Sequence, residues 1–187
     1  MTGRPAGPLR LLGLSGSLRA ASTNTALLRA AARAAPPAID LTLYDGLGRL
    51  PVFNPDLEGA ASPAEVLDLR DRVLRADGLV IACPEYAHGI PGGLKNALDW
   101  LVSGSEIPHK PVALFHASSR SLHGRAALSE VLRTMSAPPL TEFTLPLLGR
   151  SPDEVARLLA APEQVAALRA ALIGFADEIA CPWIAPG

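Results

Sequence analysis

Residues 13–24 read GLSGSLRAASTN, and they carry the clearest structural signal in the chain. The apolar run 9–14 leads into them and the alanine-rich segment 25–35 follows, which predicts a buried strand, a tight polar loop and a helix. The first turn of a helix has backbone N–H groups with no acceptor inside the helix, and the helix dipole favours an anion beside them. The stretch therefore predicts an anion site where this helix begins.

The polar side chains of this stretch favour phosphate as the anion. Four hydroxyls, one amide and one guanidinium lie within ten residues, namely Ser15, Ser17, Ser22, Thr23, Asn24 and Arg19. An ordinary helix cap with solvated serines is the alternative interpretation. A Walker loop needs a lysine that this stretch lacks, and the dinucleotide fingerprint needs a third glycine after Gly13 and Gly16. The stretch therefore suits a single phosphomonoester, as in a mononucleotide.

The composition is that of one globular domain, residues 1–187. Apolar residues make up 49% and charged residues 19%, and the net charge of −1 gives no electrostatic support for a nucleic-acid or membrane partner. No apolar run approaches the roughly 18 residues of a membrane span, and glycines and serines interrupt the first one too early for a signal peptide. We therefore expect a cytoplasmic protein. Cys83 and Cys181 are too far apart to form a zinc or redox motif.

Three of the four histidines, His109, His116 and His123, recur at a spacing of seven residues. One continuous helix would bring their side chains together, but Pro108 and Pro111 exclude such a helix. No cysteine or carboxylate stands at ligand spacing from them, so the sequence predicts no metal site.

Predicted strands and helices alternate along the rest of the chain, which indicates an α/β fold: a doubly wound, five-stranded parallel sheet with helices on both faces. The irregular connection 45–63 is long enough to be functional, and the SPAE sequence at 62–65 predicts a capping box. The predicted strands after the first are residues 39–44, 78–83, 112–117 and 140–145. The predicted helices after the first are residues 63–75, 92–102, 124–135 and 152–179, the last interrupted near Pro162.

Ligands of such sheets bind beyond the carboxyl ends of the strands. We therefore expect three segments to meet there: loop one (15–24), loop three (84–93) and loop four (118–124). Loop three reads PEYAHGIPGG; its prolines stiffen it, and its glycines let backbone N–H groups approach the edge of a planar heteroaromatic ring. Tyr86 offers a face on which such a ring could stack. A turn in which Tyr86 merely packs is the alternative.

Together these segments resemble the NADPH-dependent FMN reductase family, which includes bacterial quinone, chromate and azo-dye reductases. The resemblance runs from about residue 10 to 145. It implies a flavodoxin-like fold with strand order 2-1-3-4-5, non-covalently bound FMN, and NADPH or NADH as the hydride donor. It also implies dimers or tetramers with the flavin near a subunit interface. The matching motifs are SGSLR at 15–19 with Ser22 and Asn24, LPVFNPDLE at 50–58, PEY at 84–86 and PGGLKNALDW at 91–100.

By its position in the family's motifs, loop one would hold the FMN phosphate and loop three the ribityl chain and ring, and loop four would complete the pocket. The cofactor-binding residues implied in this way are Ser15, Ser17, Arg19, Ser22, Thr23, Asn24, Pro84, Glu85, Tyr86, Ala87, His88, Gly89 and Ser118. Loop four departs from the family pattern, because many relatives carry paired glycines there and this chain keeps only Gly124. Cys83, where many relatives have threonine, is expected to be a small buried hydrophobe and not a redox thiol.

The implied activity is that of an FMN-dependent NAD(P)H oxidoreductase. NAD(P)H would reduce the flavin and leave, and a small acceptor (a flavin, quinone, azo dye or metal oxyanion) would then take the electrons, in a ping-pong sequence that needs no catalytic acid or base. One alternative is a flavodoxin-like electron carrier that docks on a protein partner, although the net charge of −1 argues against its usual acidic face. The other alternative is a domain that keeps the fold but no longer binds flavin. The intact loop one argues against that alternative.

The predicted helix 92–102 bears on the oligomeric state. Leu94, Leu98 and Leu101 form one apolar stripe, and Trp100 falls outside it. The stripe is expected to face the sheet, and Trp100 is expected to meet another subunit of a homo-oligomer, since aromatic anchors are favoured at interfaces. Packing of Trp100 inside its own domain is the alternative.

Overall fold

The parallel sheet expected from the sequence is present, with the strand order β2-β1-β3-β4-β5. The computed structural model describes residues 7–147 and 153–181. All four strand pairings are parallel, so the carboxyl ends of the strands lie at one edge of the sheet. The strands are β1 (Leu9–Ser15), β2 (Ile39–Tyr44), β3 (Gly78–Ala82), β4 (Val112–His116) and β5 (Pro139–Thr144).

Six helices cover the two faces of the sheet in the described part of the chain. They are α1 (Thr23–Ala34), α2 (Ala64–Arg75), α3 (Gly92–Leu101), α4 (Leu122–Thr134), α5 (Glu154–Leu159) and α6 (Pro162–Ala180). One apolar core lies between the sheet and α2, α3 and α4, and the other between the sheet and α1, α5 and α6. Side chains of β1 alternate between them: Leu12 and Leu14 enter the first core, and Leu9 and Leu11 the second.

The position of each strand in the sheet follows from its sequence. Every residue of β3 and β4 is buried, as expected for strands covered by helices on both faces. The edge strands β2 and β5 alternate between more buried and more exposed residues. The break of the last helix at Pro162 is confirmed, since α5 ends at Leu159 and α6 begins at Pro162; Pro152 lies outside the described residues.

Two helices begin two residues earlier than predicted, and one predicted cap is wrong. Helix α1 starts at Thr23, and the Ser22 hydroxyl accepts the Thr25 N–H at 3.3 Å; α4 starts at Leu122. The capping box at 62–65 does not form. Pro63 itself occupies the cap position of α2, so Ser62 lies one residue too early to reach the free amides, and its hydroxyl is buried with no partner among the described residues.

The connection between β2 and α2 is irregular, with three short 3-10 turns, and α3 holds it in place. The Asn96 side chain accepts the Phe53 N–H at 2.7 Å and donates to the Pro51 carbonyl at 2.9 Å. The Trp100 indole N–H donates to the same carbonyl at 2.8 Å, and the Phe53 ring packs edge-on against Trp100 with centroids 5.0 Å apart. Trp100 is fully buried in its own domain, so its predicted place at a subunit interface is wrong.

Candidate active site

Loops one and three face each other across a cleft of about 310 Å³ at the carboxyl edge of the sheet. The two loops meet there because β1 and β3 are neighbouring parallel strands. Of the residues predicted from the sequence, Arg19 and Tyr86 line the cleft directly. The full lining is Gly16, Leu18, Arg19, Tyr86, Pro91, Gly92 and Gly93.

Gly16 packs closely against the start of loop three. Its N–H donates to the Ala82 carbonyl at 2.8 Å and so continues the pairing of β1 with β3. A Cβ at this position would lie 3.1 Å from Leu94 Cδ2 and 3.2 Å from Pro84 Cδ. A side chain here would therefore crowd Leu94 of α3 and Pro84 of loop three. Gly16 was absent from the predicted site residues, although a glycine directly after a buried strand is a usable signal of close approach.

The amino end of α1 provides free hydrogen-bond donors. The backbone N–H groups of Thr23 and Asn24 have no acceptor within 7–147 and 153–181, as is usual in the first turn of a helix. The Arg19 side chain is exposed and also lacks a partner in the part of the chain that the structure describes. These donors and the dipole of α1 fit a phosphate group. The Ser15 hydroxyl is less available to a phosphate group, because it shares a 2.7 Å hydrogen bond with the Thr25 hydroxyl.

Ser17 and Ser22 shape this end of the site from buried positions. The Ser17 hydroxyl accepts the Arg19 N–H at 3.4 Å, which folds the chain back towards α1, and the Ser22 hydroxyl caps the helix. Both hydroxyls can still donate a proton to an anion, since each accepts in the bond described. The structure thus brings all six predicted residues of loop one to the beginning of α1.

Loop three is a tight turn with a strained tip. Tyr86 and Gly89 exchange two backbone hydrogen bonds, of 3.2 and 2.9 Å, and the two residues between them have left-handed backbone conformations. Ala87 has φ 48° and His88 has φ 60°, values that favour glycine or asparagine. Tyr86 is half-exposed on the wall of the cleft, so part of its side chain is open to a ligand.

Loop three is also bonded to loop four. The Glu85 carboxylate accepts the Gly124 N–H at 2.8 Å, in the first turn of α4. A Cβ on Gly124 would lie 3.1 Å from the Glu85 Cβ, so any larger residue would crowd Glu85 at this contact. The His88 and His123 rings stack with centroids 4.4 Å apart and planes 25° apart. Gly124, the single glycine that loop four retains, therefore makes the contact with loop three. The Glu85 carboxylate accepts a hydrogen bond in that contact.

Two basic residues beneath loop four, the half-buried Arg125 and the buried His116, were not predicted as site residues. Arg125 donates to the Ser118 carbonyl at 2.5 Å and to the Thr144 hydroxyl at 3.4 Å, and thereby holds the start of loop four. The buried His116 at the end of β4 has its Nε2 3.4 Å from a Glu142 carboxylate oxygen. Burial, and then the charge of Arg125, lower the pKa of His116, and Glu142 opposes this only in part.

This lowered pKa predicts a loss of stability in acid. The unfolded chain binds the proton of His116 more readily than the folded chain, so the free energy of unfolding should fall as the pH drops below about 6.5, the ordinary histidine value. We expect His116→Gln to show a smaller decrease than the wild type between pH 7.5 and 5.5, measured by urea unfolding. Equal decreases in the two proteins would show that protonation of His116 does not contribute to the loss of stability in acid.

The remaining reactive side chains are not placed for catalysis. Cys83 is buried in the core, as expected, and this burial raises the pKa of its thiol to about 12. In the described ranges, no three histidine, cysteine or acidic side chains are grouped to bind a metal ion. No described helix is both long enough and apolar enough to span a bilayer.

A larger cavity, of about 450 Å³, lies at the opposite edge of the sheet, beside the residues that precede β4 and β5. Three of its charged side chains are already bonded within the protein: Lys110 donates to the Ala76 carbonyl, Arg133 pairs with Glu130, and Glu178 accepts from Thr141. The free donors and the exposed aromatic ring lie instead at the carboxyl edge, which makes the smaller cleft the candidate site.

Comparison with known proteins agrees with this geometry. The family model described as NADPH-dependent FMN reductase matches residues 9–146. An NAD(P)H-dependent FMN reductase of Pseudomonas aeruginosa is 39% identical over 113 residues, which span 59% of this chain and 60% of that protein. A quinone reductase of Escherichia coli is 35% identical over 130 residues, 67% of this chain and 68% of that protein.

A solved structure supports the fold over nearly the whole chain. FerB of Paracoccus denitrificans, described as a flavoenzyme NAD(P)H:(acceptor) oxidoreductase, superposes with a TM-score of 0.72 at 24% identity, covering 91% of this chain and 97% of its own. With the family match over residues 9–146, the chain belongs to the NADPH-dependent FMN reductase family of flavin-dependent oxidoreductases, which use FMN with NAD(P)H as the electron donor.

Proposed function

We propose that this protein is a cytoplasmic, single-domain enzyme that passes electrons from NAD(P)H through bound FMN to a small acceptor such as a flavin, quinone, azo dye or metal oxyanion. The observation that carries the proposal is the cleft between loops one and three. Arg19 and the exposed Tyr86 line this cleft, and the free N–H groups at the beginning of α1 follow Arg19 in the same loop. A flavin mononucleotide has the matching parts, a terminal phosphate and a planar ring.

Each part of FMN has a place in this assignment. Arg19, the amides of Thr23 and Asn24, and the hydroxyls of Ser17 and Ser22 would hold the phosphate. Residues 84–89 would line the ribityl chain and the ring, with Ser118 on the far side. Bound FMN supplies the redox chemistry, while the chain binds and orients the reactants. No side chain is assigned as a catalytic acid or base.

We propose that the two substrates react in a ping-pong order. The cleft is bordered by loops one and three, which would hold the flavin. NAD(P)H and the acceptor would both have to approach the exposed side of the flavin ring through this one opening. We infer that they bind in turn and not together.

We expect purified protein to carry FMN, since loop one offers one phosphate site without a dinucleotide fingerprint. The test is a visible spectrum, followed by heat release and chromatography of the flavin. Steady-state rates with NADPH and menadione should give parallel double-reciprocal lines. Recovery of stoichiometric FAD would contradict the cofactor assignment, and intersecting lines would contradict the ping-pong order.

We also propose a homo-oligomer, a dimer or tetramer, with the region of α3 at or near the interface. Support comes from exposed apolar residues: Val52, on the connection held by α3, is 83% exposed, and Val102 at the end of α3 is 56% exposed. Sedimentation of the wild type should show a dimer or larger species. Val52→Asp should raise the monomer fraction, whereas Leu74→Asp, on the exposed side of α2, should not. A fully active wild-type monomer would refute this proposal.

A further inference from the structure

Basic residues dominate the three loops around the cleft. Loops one, three and four contain Arg19, His88, Arg120 and His123, and their one acidic residue is Glu85. The Glu85 carboxylate is already bonded to the Gly124 N–H. In these loops the basic residues therefore outnumber the one carboxylate, and one oxygen of that carboxylate is held by a backbone N–H.

The Arg120 side chain has no bonded partner in the described residues, whereas most other described arginines have one. The side chain is exposed and has no hydrogen bond or ion pair to any residue in 7–147 or 153–181. On α2, by contrast, Arg72 and Arg75 each pair with the aspartate four residues earlier, at 3.0 and 2.8 Å. An arginine without a protein partner, on a loop beside a ligand cleft, is available to an anionic ligand.

Loop four meets the tip of loop three through a pair of histidines, and Arg120 lies three residues before one of them in the chain. Tyr86 lines the cleft, and His88 lies at the tip of the same turn. His123 stacks on His88 at 4.4 Å, which joins loop four to that tip. Arg120 is on the same short segment as His123, where its own N–H donates to the Ser118 hydroxyl at 3.1 Å. We call Arg120, His88 and His123 the rim cluster.

We propose that the rim cluster is a second anion subsite, distinct from the phosphate site at α1, and that it binds an oxyanion of the molecule that enters the cleft. This rests on the proposed function. The oxyanion could belong to the donor, as the 2′-phosphate of NADPH, or to the acceptor, as a sulfonate or carboxylate. A guanidinium presents a planar fork of N–H donors that matches such groups, and each imidazole adds an N–H donor whether neutral or charged.

The test uses ratios between substrates that differ only by an anionic group. Isothermal calorimetry on the FMN-loaded protein would compare NADP⁺ with NAD⁺, and steady-state kinetics would compare NADPH with NADH and 1,4-naphthoquinone-2-sulfonate with menadione. The wild type is expected to prefer the anionic compound in at least one of these pairs, and in Arg120→Ala we expect that preference to fall by about five- to tenfold. The effect should be smaller at high salt, because the site is exposed. The matched control is Arg33→Ala, an exposed arginine in the last turn of α1, which should leave every ratio unchanged.

The arms of this experiment separate the sources of the anion. A fall confined to NADP⁺ and NADPH assigns the rim cluster to the donor phosphate, and a fall confined to the sulfonated quinone assigns it to the acceptor. Unchanged ratios in Arg120→Ala overturn the proposal. An equal loss of affinity for FMN and for every substrate also overturns it. A wild type that oxidises neither NADPH nor NADH would contradict the proposed function instead, and the calorimetric ratios would still decide the anion subsite.

Discussion

Replacing Arg19 with alanine is expected to weaken FMN binding by roughly ten- to a hundredfold, the usual effect of removing a charge-assisted hydrogen bond to phosphate. Riboflavin affinity should hardly change, because riboflavin lacks the phosphate. The fold should also be unaffected, since the Arg19 side chain is exposed and bonds to no residue in the described part of the chain. Fluorescence titration of the apoprotein with each flavin measures both affinities.

The matched control is again Arg33→Ala, which removes the same charge from the opposite end of α1. This variant should bind both flavins like the wild type. If Arg19→Ala weakens FMN and riboflavin equally, Arg19 supports the shape of loop one and does not bind the phosphate.

Trp100→Ala should lower the free energy of unfolding by about 3–5 kcal/mol, as expected for truncation of a large buried aromatic side chain. The loss combines a cavity between α3 and the connection after β2 with loss of the hydrogen bond to the Pro51 carbonyl. Trp100→Phe should cost less, because the ring fills most of the cavity and the Asn96 side chain still donates to that carbonyl. The difference between the two variants separates packing from the hydrogen bond.

Urea unfolding at one protein concentration, with saturating FMN, provides the measurement. Leu67→Ala on the exposed side of α2 is the control, and it should stay within about 0.5 kcal/mol of the wild type. A Trp100→Ala variant no less stable than this control would contradict the packing seen in the structure. It would revive the interpretation of Trp100 as an interface residue.

The fold was predictable because its signals are local. The strands β3 and β4 are apolar at every position and lie inside the sheet, as such runs require. The site was predictable in outline for the same reason, since polar loops after neighbouring parallel strands must meet at one edge. Helix starts were less accurate where Thr23 and Leu122 adopt helical geometry within segments assigned to loops.

Contacts between distant parts of the chain could not be predicted. Trp100 does fall outside the leucine stripe of α3, but the connection after β2 covers that side of the helix. The Glu85–Gly124 bond and the His88–His123 stack likewise join residues that only the folded chain brings together. Periodicity shows which side of a helix is apolar, but it does not show which distant segment will cover that side.

The left-handed turn at Ala87 and His88 has a consequence for how a ligand binds. Such conformations are unfavourable for these residues by themselves, and here the paired backbone of Tyr86 and Gly89 and the stacked His123 ring impose them. The conformational entropy of this wall is therefore lost when the chain folds and not when a ligand arrives. Loop three is in this sense preorganised. Ala87→Gly, which relaxes the turn, should make loop three more flexible in the absence of ligand, and should therefore weaken ligand binding.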